Sequence, residues 1–95
     1  MTDEQKRIFE SLVCAIQLLL DETAHGRGYD NMLSLCSYSA STNPRFRGDA
    51  DLAVPWRDAV WEKGYEILDA VVAGERQIPT REELLAELPQ FEWPV

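Results

Sequence analysis

The sequence predicts a small all-α single domain of three to four helices packed antiparallel, with an extended C-terminal tail, and three observations carry that expectation. Apolar residues recur at three- and four-residue spacings through most of the chain, the period of a helix with one face on a core. Capping residues and glycine or proline stops punctuate those stretches at helical lengths. Strand signals fail: no stretch of five or more residues alternates apolar and polar with β-branched enrichment, and no Asn-Gly or Asp-Gly turn joins two such stretches. The 95 residues allow one domain, 1–95, which hides only about 60 to 65% of the surface its unfolded chain exposes.

The first helix is expected over about 3–24. Thr2 is its N-cap, and Asp3 and Glu4 lie in the first turn, where carboxylates meet the positive end of the helix dipole. Ile8, Leu12, Ala15, Ile16 and Leu19, flanked by Phe9, Val13 and Leu20, form a wide apolar stripe that needs covering on more than one side. Asp3 and Arg7 stand one turn apart, acid first, which predicts a surface pair. Gly26 and Gly28 end the helix near Ala24, since each costs about 1 kcal/mol relative to alanine in a helix interior.

A second, short helix is expected over 30–40, capped by Asp30 and carrying Met32, Leu33, Leu35, Cys36 and Tyr38 at helical spacings. Ser37, Ser39, Ser41, Thr42 and Asn43 then compete for backbone hydrogen bonds, and Pro44 pushes Asn43 out of the helical region, which predicts a loop over about 40–47. The third and main helix is expected over 49–73. Leu52, Trp56, Val60, Ile67 and Val71 mark one face and Trp61, Tyr65, Leu68 and Val72 a neighbouring one. Pro55 either starts that helix or kinks it, because a proline inside removes one hydrogen bond and clashes with the preceding turn. Gly74 is the expected stop. Thr80 and Glu83 spell a capping box that opens a fourth helix over 81–88, ended by Pro89, with Phe91, Trp93 and Pro94 in the tail 89–95.

The net charge of −8 disfavours phosphate backbones and anionic lipid surfaces, so neither nucleic acid nor membrane is an expected partner. No apolar run approaches the roughly 20 residues that span a bilayer, and the N-terminus lacks the basic and apolar segments of a signal peptide, which reads as cytosolic. Cys14 and Cys36 are expected to be small buried thiols, unbridged, since two cysteines at this spacing build neither a disulfide scaffold nor a zinc site.

The chemistry-bearing residues are sparse. Asp21, Glu22 and His25 have metal-ligand spacing, but two or three such groups at a helix end arise often by chance, so no metal is expected. Glu82, Glu83 and Glu87 serve capping and solubility, and Gly26-Arg27-Gly28 lacks both the third glycine and the preceding strand of a phosphate cradle. Arg45-Phe46-Arg47 is the one compact basic cluster; Asp49 and Asp51 follow at once, which predicts local ion pairs. Arg47-Gly48-Asp49 spells an adhesion tripeptide, too short to carry an argument. No catalytic residue, metal or cofactor is predicted.

The aromatic residues are the informative ones. Trp56 and Trp61 differ by five positions and point about 140° apart on a helix, more than the face a thin domain can bury. One of them is therefore expected to meet another chain, together with Tyr65, Phe91 and Trp93, while Arg57 fixes orientation by pairing with a carboxylate on the partner or with Asp58 or Glu62. The oligomeric state is left open by the sequence, an oligomer included.

Arg27-Gly28-Tyr29-Asp30, Ser37-Tyr38, Asn43-Pro44, Phe46, Trp56-Arg57-Asp58-Ala59-Val60-Trp61, Tyr65 and Leu68 form a set of stretches, continued by Gly74, Pro79-Thr80, Glu83-Leu84, Leu88-Pro89 and Glu92-Trp93-Pro94. Over about three quarters of the chain, this set resembles the tail fibre assembly proteins, or tail assembly chaperones, of tailed bacteriophages and prophages. The resemblance implies a non-enzymatic role in which a small protein binds a tail fibre or receptor-binding protein in the bacterial host cytoplasm during phage assembly, or stays in the virion tail as an accessory subunit. A bacterial adaptor or regulatory helical domain with an unrelated partner is the alternative.

Overall fold

The computed structural model describes residues 2–94, and among them the fold is all-α, with four α-helices and one 3-10 turn. The helices are α1 (Asp3–His25), α2 (Met32–Cys36), α3 (Pro44–Val72) and α4 (Arg81–Glu87), with the 3-10 turn at Ser37–Ala40 between α2 and α3. The 29 residues of α3 rise about 43 Å at 1.5 Å each, which sets the longest dimension of a molecule measuring 47 × 21 × 20 Å.

α1 begins as its first residues dictate. The Thr2 hydroxyl accepts from the Gln5 backbone at 3.1 Å, and the Gln5 side chain accepts from the Thr2 backbone at 2.9 Å, closing a capping box. Leu12, Ile16, Leu20 and Ala24, one turn apart, are buried with Ala15, whereas Ile8 is exposed. The expected Asp3–Arg7 pair is absent from the ion pairs of the described residues. Both long helices end alike. Gly28 (φ 91°) and Gly74 (φ 76°) take the left-handed conformation, and the next residue's N–H reaches back to the first carbonyl of the last turn, Tyr29 to Ala24 at 3.1 Å and Glu75 to Ala70 at 2.9 Å.

Three expected boundaries are corrected. The second helix is capped by Asn31, whose side chain accepts from the Ser34 N–H at 2.7 Å, not by Asp30. It tightens into the 3-10 turn at Ser37, whose hydroxyl bonds the Ser34 carbonyl at 2.6 Å, so serine competition acts four residues earlier than the sequence suggests. The largest change concerns the expected loop over 40–47. Pro44 opens α3 as its first residue, where a missing N–H costs nothing, and the Asn43 side chain caps it by accepting from Arg45 and Phe46.

Pro55 neither starts nor ends α3, which runs through it. Pro55 and Asp51, whose carbonyl loses its helical donor, are both exposed, so that carbonyl is open to solvent rather than buried without a donor. α4 opens with the expected Thr80–Glu83 capping box and stops before Pro89.

α1 and α3 run antiparallel. They are in contact at Gly64, where a Cβ would lie 2.8 Å from Ile16 Cδ1, and Phe9 lines a hollow with Val71 and Val72 at the far end. α2 and the 3-10 turn pack on the first half of α3. The segment after α3 returns along α1: Ile78 reaches Phe9, Arg81 lies beside Ser11 and Leu18, and Trp93 reaches Thr23. α4 thus lies on the flank of α1. Leu84 and Leu88 are its fully buried anchors, each worth about 1.5 to 3 kcal/mol of apolar burial.

A candidate protein-binding surface

Trp56 belongs to the core. It is 8% exposed, its indole N–H donates to the Pro89 carbonyl at 2.8 Å, and its ring lies 4.9 Å from that of Phe91. Phe91 meets Trp93 edge-on at 4.8 Å, and the Trp93 indole donates to the Thr23 carbonyl at 2.9 Å at the end of α1. The tail has no regular secondary structure, as expected, but Phe91 and Trp93 are half-buried and the Trp93 indole N–H has a partner. Trp56 is therefore withdrawn from the set of partner-facing residues, and Phe91 and Trp93 keep only their outer edges.

What holds the tail was not foreseen. Arg27, in the turn after α1, stands 4.9 Å over the Trp93 ring, donates to the Pro94 carbonyl at 3.4 Å and pairs with Asp49 at 3.5 Å. Asp49 is 6% exposed and also accepts from the Tyr29 hydroxyl at 2.8 Å. Burial first, then the bond to Asp49, pushes the Tyr29 hydroxyl above its ordinary range, so it stays a donor at neutral pH.

Asp49 thus serves Arg27 rather than Arg45 or Arg47, which form no ion pair among the described residues, and the Arg-Gly-Asp tripeptide is helical with its carboxylate buried. The signal was present: Asp49 precedes Ala53, Trp56 and Val60 by four, seven and eleven positions, the buried face of a helix that starts earlier than 49.

Trp61 and Tyr65 form the second aromatic pair, stacked with ring centres 5.7 Å apart. Trp61 is half-buried and Tyr65 is 55% exposed. Val72, 65% exposed, continues the same line. At about 100° per residue, Trp61, Tyr65 and Val72 share a stripe of α3 about 140 to 180° from Trp56, facing away from the tail packed on Trp56, whereas Leu68 on its inner edge is buried in the core.

Arg57 bonds Asp58 through two nitrogens at 3.1 and 2.9 Å, one of the two neighbours expected for it, and that bond holds the guanidinium above its usual range. Leu52, expected on the core face, is exposed: the buried face of α3 runs through Asp49, Ala53, Trp56, Val60 and Ile67, and Leu52 lies about 100° round the helix from Ala53.

Among the described residues no three His, Cys, Asp or Glu side chains gather as a metal site. Asp21 accepts from Gln17 and from the Met32 backbone, which ties α2 to α1, and the His25 ring donates through Nε2 to the Asp30 carbonyl. Both cysteines are free. Cys36 is buried, which pushes its thiol up, but Cys14 is exposed, contrary to expectation, because it lies on the side of α1 opposite Ile16. No described helix is long and apolar enough to cross a membrane.

The chain matches no protein-family model, no curated protein and no solved structure. The surface itself therefore carries the functional argument.

Proposed function

We propose that this protein is a non-enzymatic tail fibre assembly chaperone or accessory tail subunit of a bacteriophage or prophage, acting by binding a fibre or receptor-binding protein in the host cytoplasm. The observation that carries a binding role is the stacked Trp61–Tyr65 pair on the outside of α3, with Tyr65 55% exposed. Tryptophan and tyrosine dominate binding energies when a partner desolvates them, and both are rigid enough to be ordered at little entropic expense. The tail-assembly context rests on the resemblance of the Trp56–Trp61 stretch, with Leu88-Pro89 and Glu92-Trp93-Pro94, to that family. Arg57, Trp61 and Tyr65, with the outer edges of Phe91 and Trp93, form the proposed contact set. The net charge of −8 keeps an apolar surface soluble before the partner arrives.

Coexpression with the neighbouring fibre gene tests the proposal. The fibre is expected to be soluble and to comigrate with the wild-type protein on a sizing column, and to lose both properties with Trp61→Ala. A fibre equally soluble without the small protein, with no comigration, overturns the proposal and favours an adaptor with an unrelated partner. Finding the protein in purified particles assigns it to the tail as a subunit.

A further inference from the structure

We propose that the outer stripe of α3 docks an amphipathic helical segment carrying lysine or arginine beside its apolar face. The inference rests on the reading above that the chain works by binding another protein, and it adds the chemistry of the bound segment. Trp61, Tyr65 and Val72, spaced four and seven residues apart, span about 16 Å, three turns of helix, while Leu68 between them is buried and seats the stripe on the core. This is the register in which a second helix lays its own i, i+3, i+4 and i+7 residues. The stripe ends in a hollow of about 160 Å³ lined by Gln5, Phe9, Val71, Val72 and Ile78. A cavity of roughly 150 Å³ accepts a benzene-sized group, so one leucine, methionine or phenylalanine of the partner fits there.

Charge decides the occupant. Glu62 and Asp69 stand on α3 along the edge of the stripe, both exposed and without an ion-pair partner among the described residues. On the same helix Arg57 and Lys63 pair with Asp58 and Glu66, and Arg76, which shares a hollow with Asp69, pairs with Glu87. Two copies of a chain with net charge −8 repel one another, and the acidic edge would face its own kind, so a second copy is disfavoured. Nucleic acid and anionic lipid are disfavoured by the same sign. A segment with basic residues flanking its apolar ones satisfies both the stripe and the edge.

The test uses the intact protein and three fluorescently labelled synthetic peptides of about 18 residues, five helical turns. One carries leucines at helical spacing with lysines between them, one has glutamates in place of the lysines, and one is a scramble of the first. The leucine–lysine helix is expected to bind, the scramble at least about tenfold more weakly, and the glutamate peptide not at all. Tyr65→Ser and Val72→Ser, which leave the net charge unchanged, are each expected to weaken binding about tenfold. Leu33→Ser, at the most exposed leucine and on another helix, leaves it unchanged.

Equal binding of the scramble, or no effect of Tyr65→Ser, reduces the contact to bulk charge attraction and overturns the proposal. So does a sizing-column dimer that Tyr65→Ser dissolves, since a second copy then occupies the stripe. Peptide binding confined to the stripe, alongside a fibre indifferent to the protein, keeps this inference and removes the tail-fibre reading; fibre rescue without peptide binding does the reverse.

Discussion

Replacing Trp56 and Trp61 in turn with phenylalanine separates the tryptophan that builds the core from the one that faces outward. Trp56→Phe removes the indole N–H that bonds the half-buried Pro89 carbonyl at 2.8 Å and leaves a small void beside Phe91. The orphaned carbonyl costs about 1 to 2 kcal/mol. The void adds about 1 kcal/mol, a fraction of the roughly 3 to 5 kcal/mol for truncating a buried tryptophan to alanine.

At about 4 to 8 °C per kcal/mol in a domain of this size, the melting temperature falls by roughly 8 to 24 °C. Trp61 is half-buried, and its indole makes no hydrogen bond among the described residues. Trp61→Phe keeps a ring against Tyr65, so the expected change is below about 0.5 kcal/mol. Urea denaturation followed by helical circular dichroism measures both, with equal slopes confirming that the unfolded states are comparable. Equal losses, or a larger loss for Trp61→Phe, would refute the assignment of the two rings.

The glycines divide by surroundings. Gly48→Ala, exposed in α3 with nothing near its Cβ position, is expected to stabilise by up to about 1 kcal/mol, whereas Gly64→Ala is expected to destabilise by about 1 kcal/mol against Ile16, an effect that Ile16→Val relieves in the double variant; chemical denaturation reads all three. Arg27→Ala removes the ring contact, the Pro94 bond and the Asp49 pair together, and is expected to destabilise by about 1 kcal/mol after allowing for solvent screening and to speed amide exchange over 90–93.

Acid should loosen α4 early. The Thr80 cap holds the Glu83 carboxyl below its usual range and Arg76 does the same for Glu87, so the stability they contribute is present at neutral pH and lost as pH falls through and below roughly 4.3. Glu83→Gln and Glu87→Gln are expected to flatten that acid limb in thermal melts recorded across pH.

The all-α class, the caps at Thr2 and Thr80 and the stops at Gly28, Gly74 and Pro89 are set by the sequence itself. Each depends on atoms within a few residues: a side chain reaching a backbone N–H, a missing Cβ, a missing donor. Pro44 and Pro55 show where local rules end. One proline opens a helix and the other is carried inside it, and only the packing of Ala50, Ala53, Trp56 and Val60 along one continuous face outweighs the local penalty.

Only the tertiary structure decides which tryptophan is covered. Trp56 and Trp61 stand five positions apart on one helix, and the tail, which crosses 33 positions of sequence to place the Pro89 carbonyl on Trp56, covers the first of them. The burial of Asp49 is settled in the same way, by Arg27 and Tyr29 twenty or so residues away. Helix periodicity shows that a helix has faces; which face meets solvent depends on neighbours that come from elsewhere in the chain.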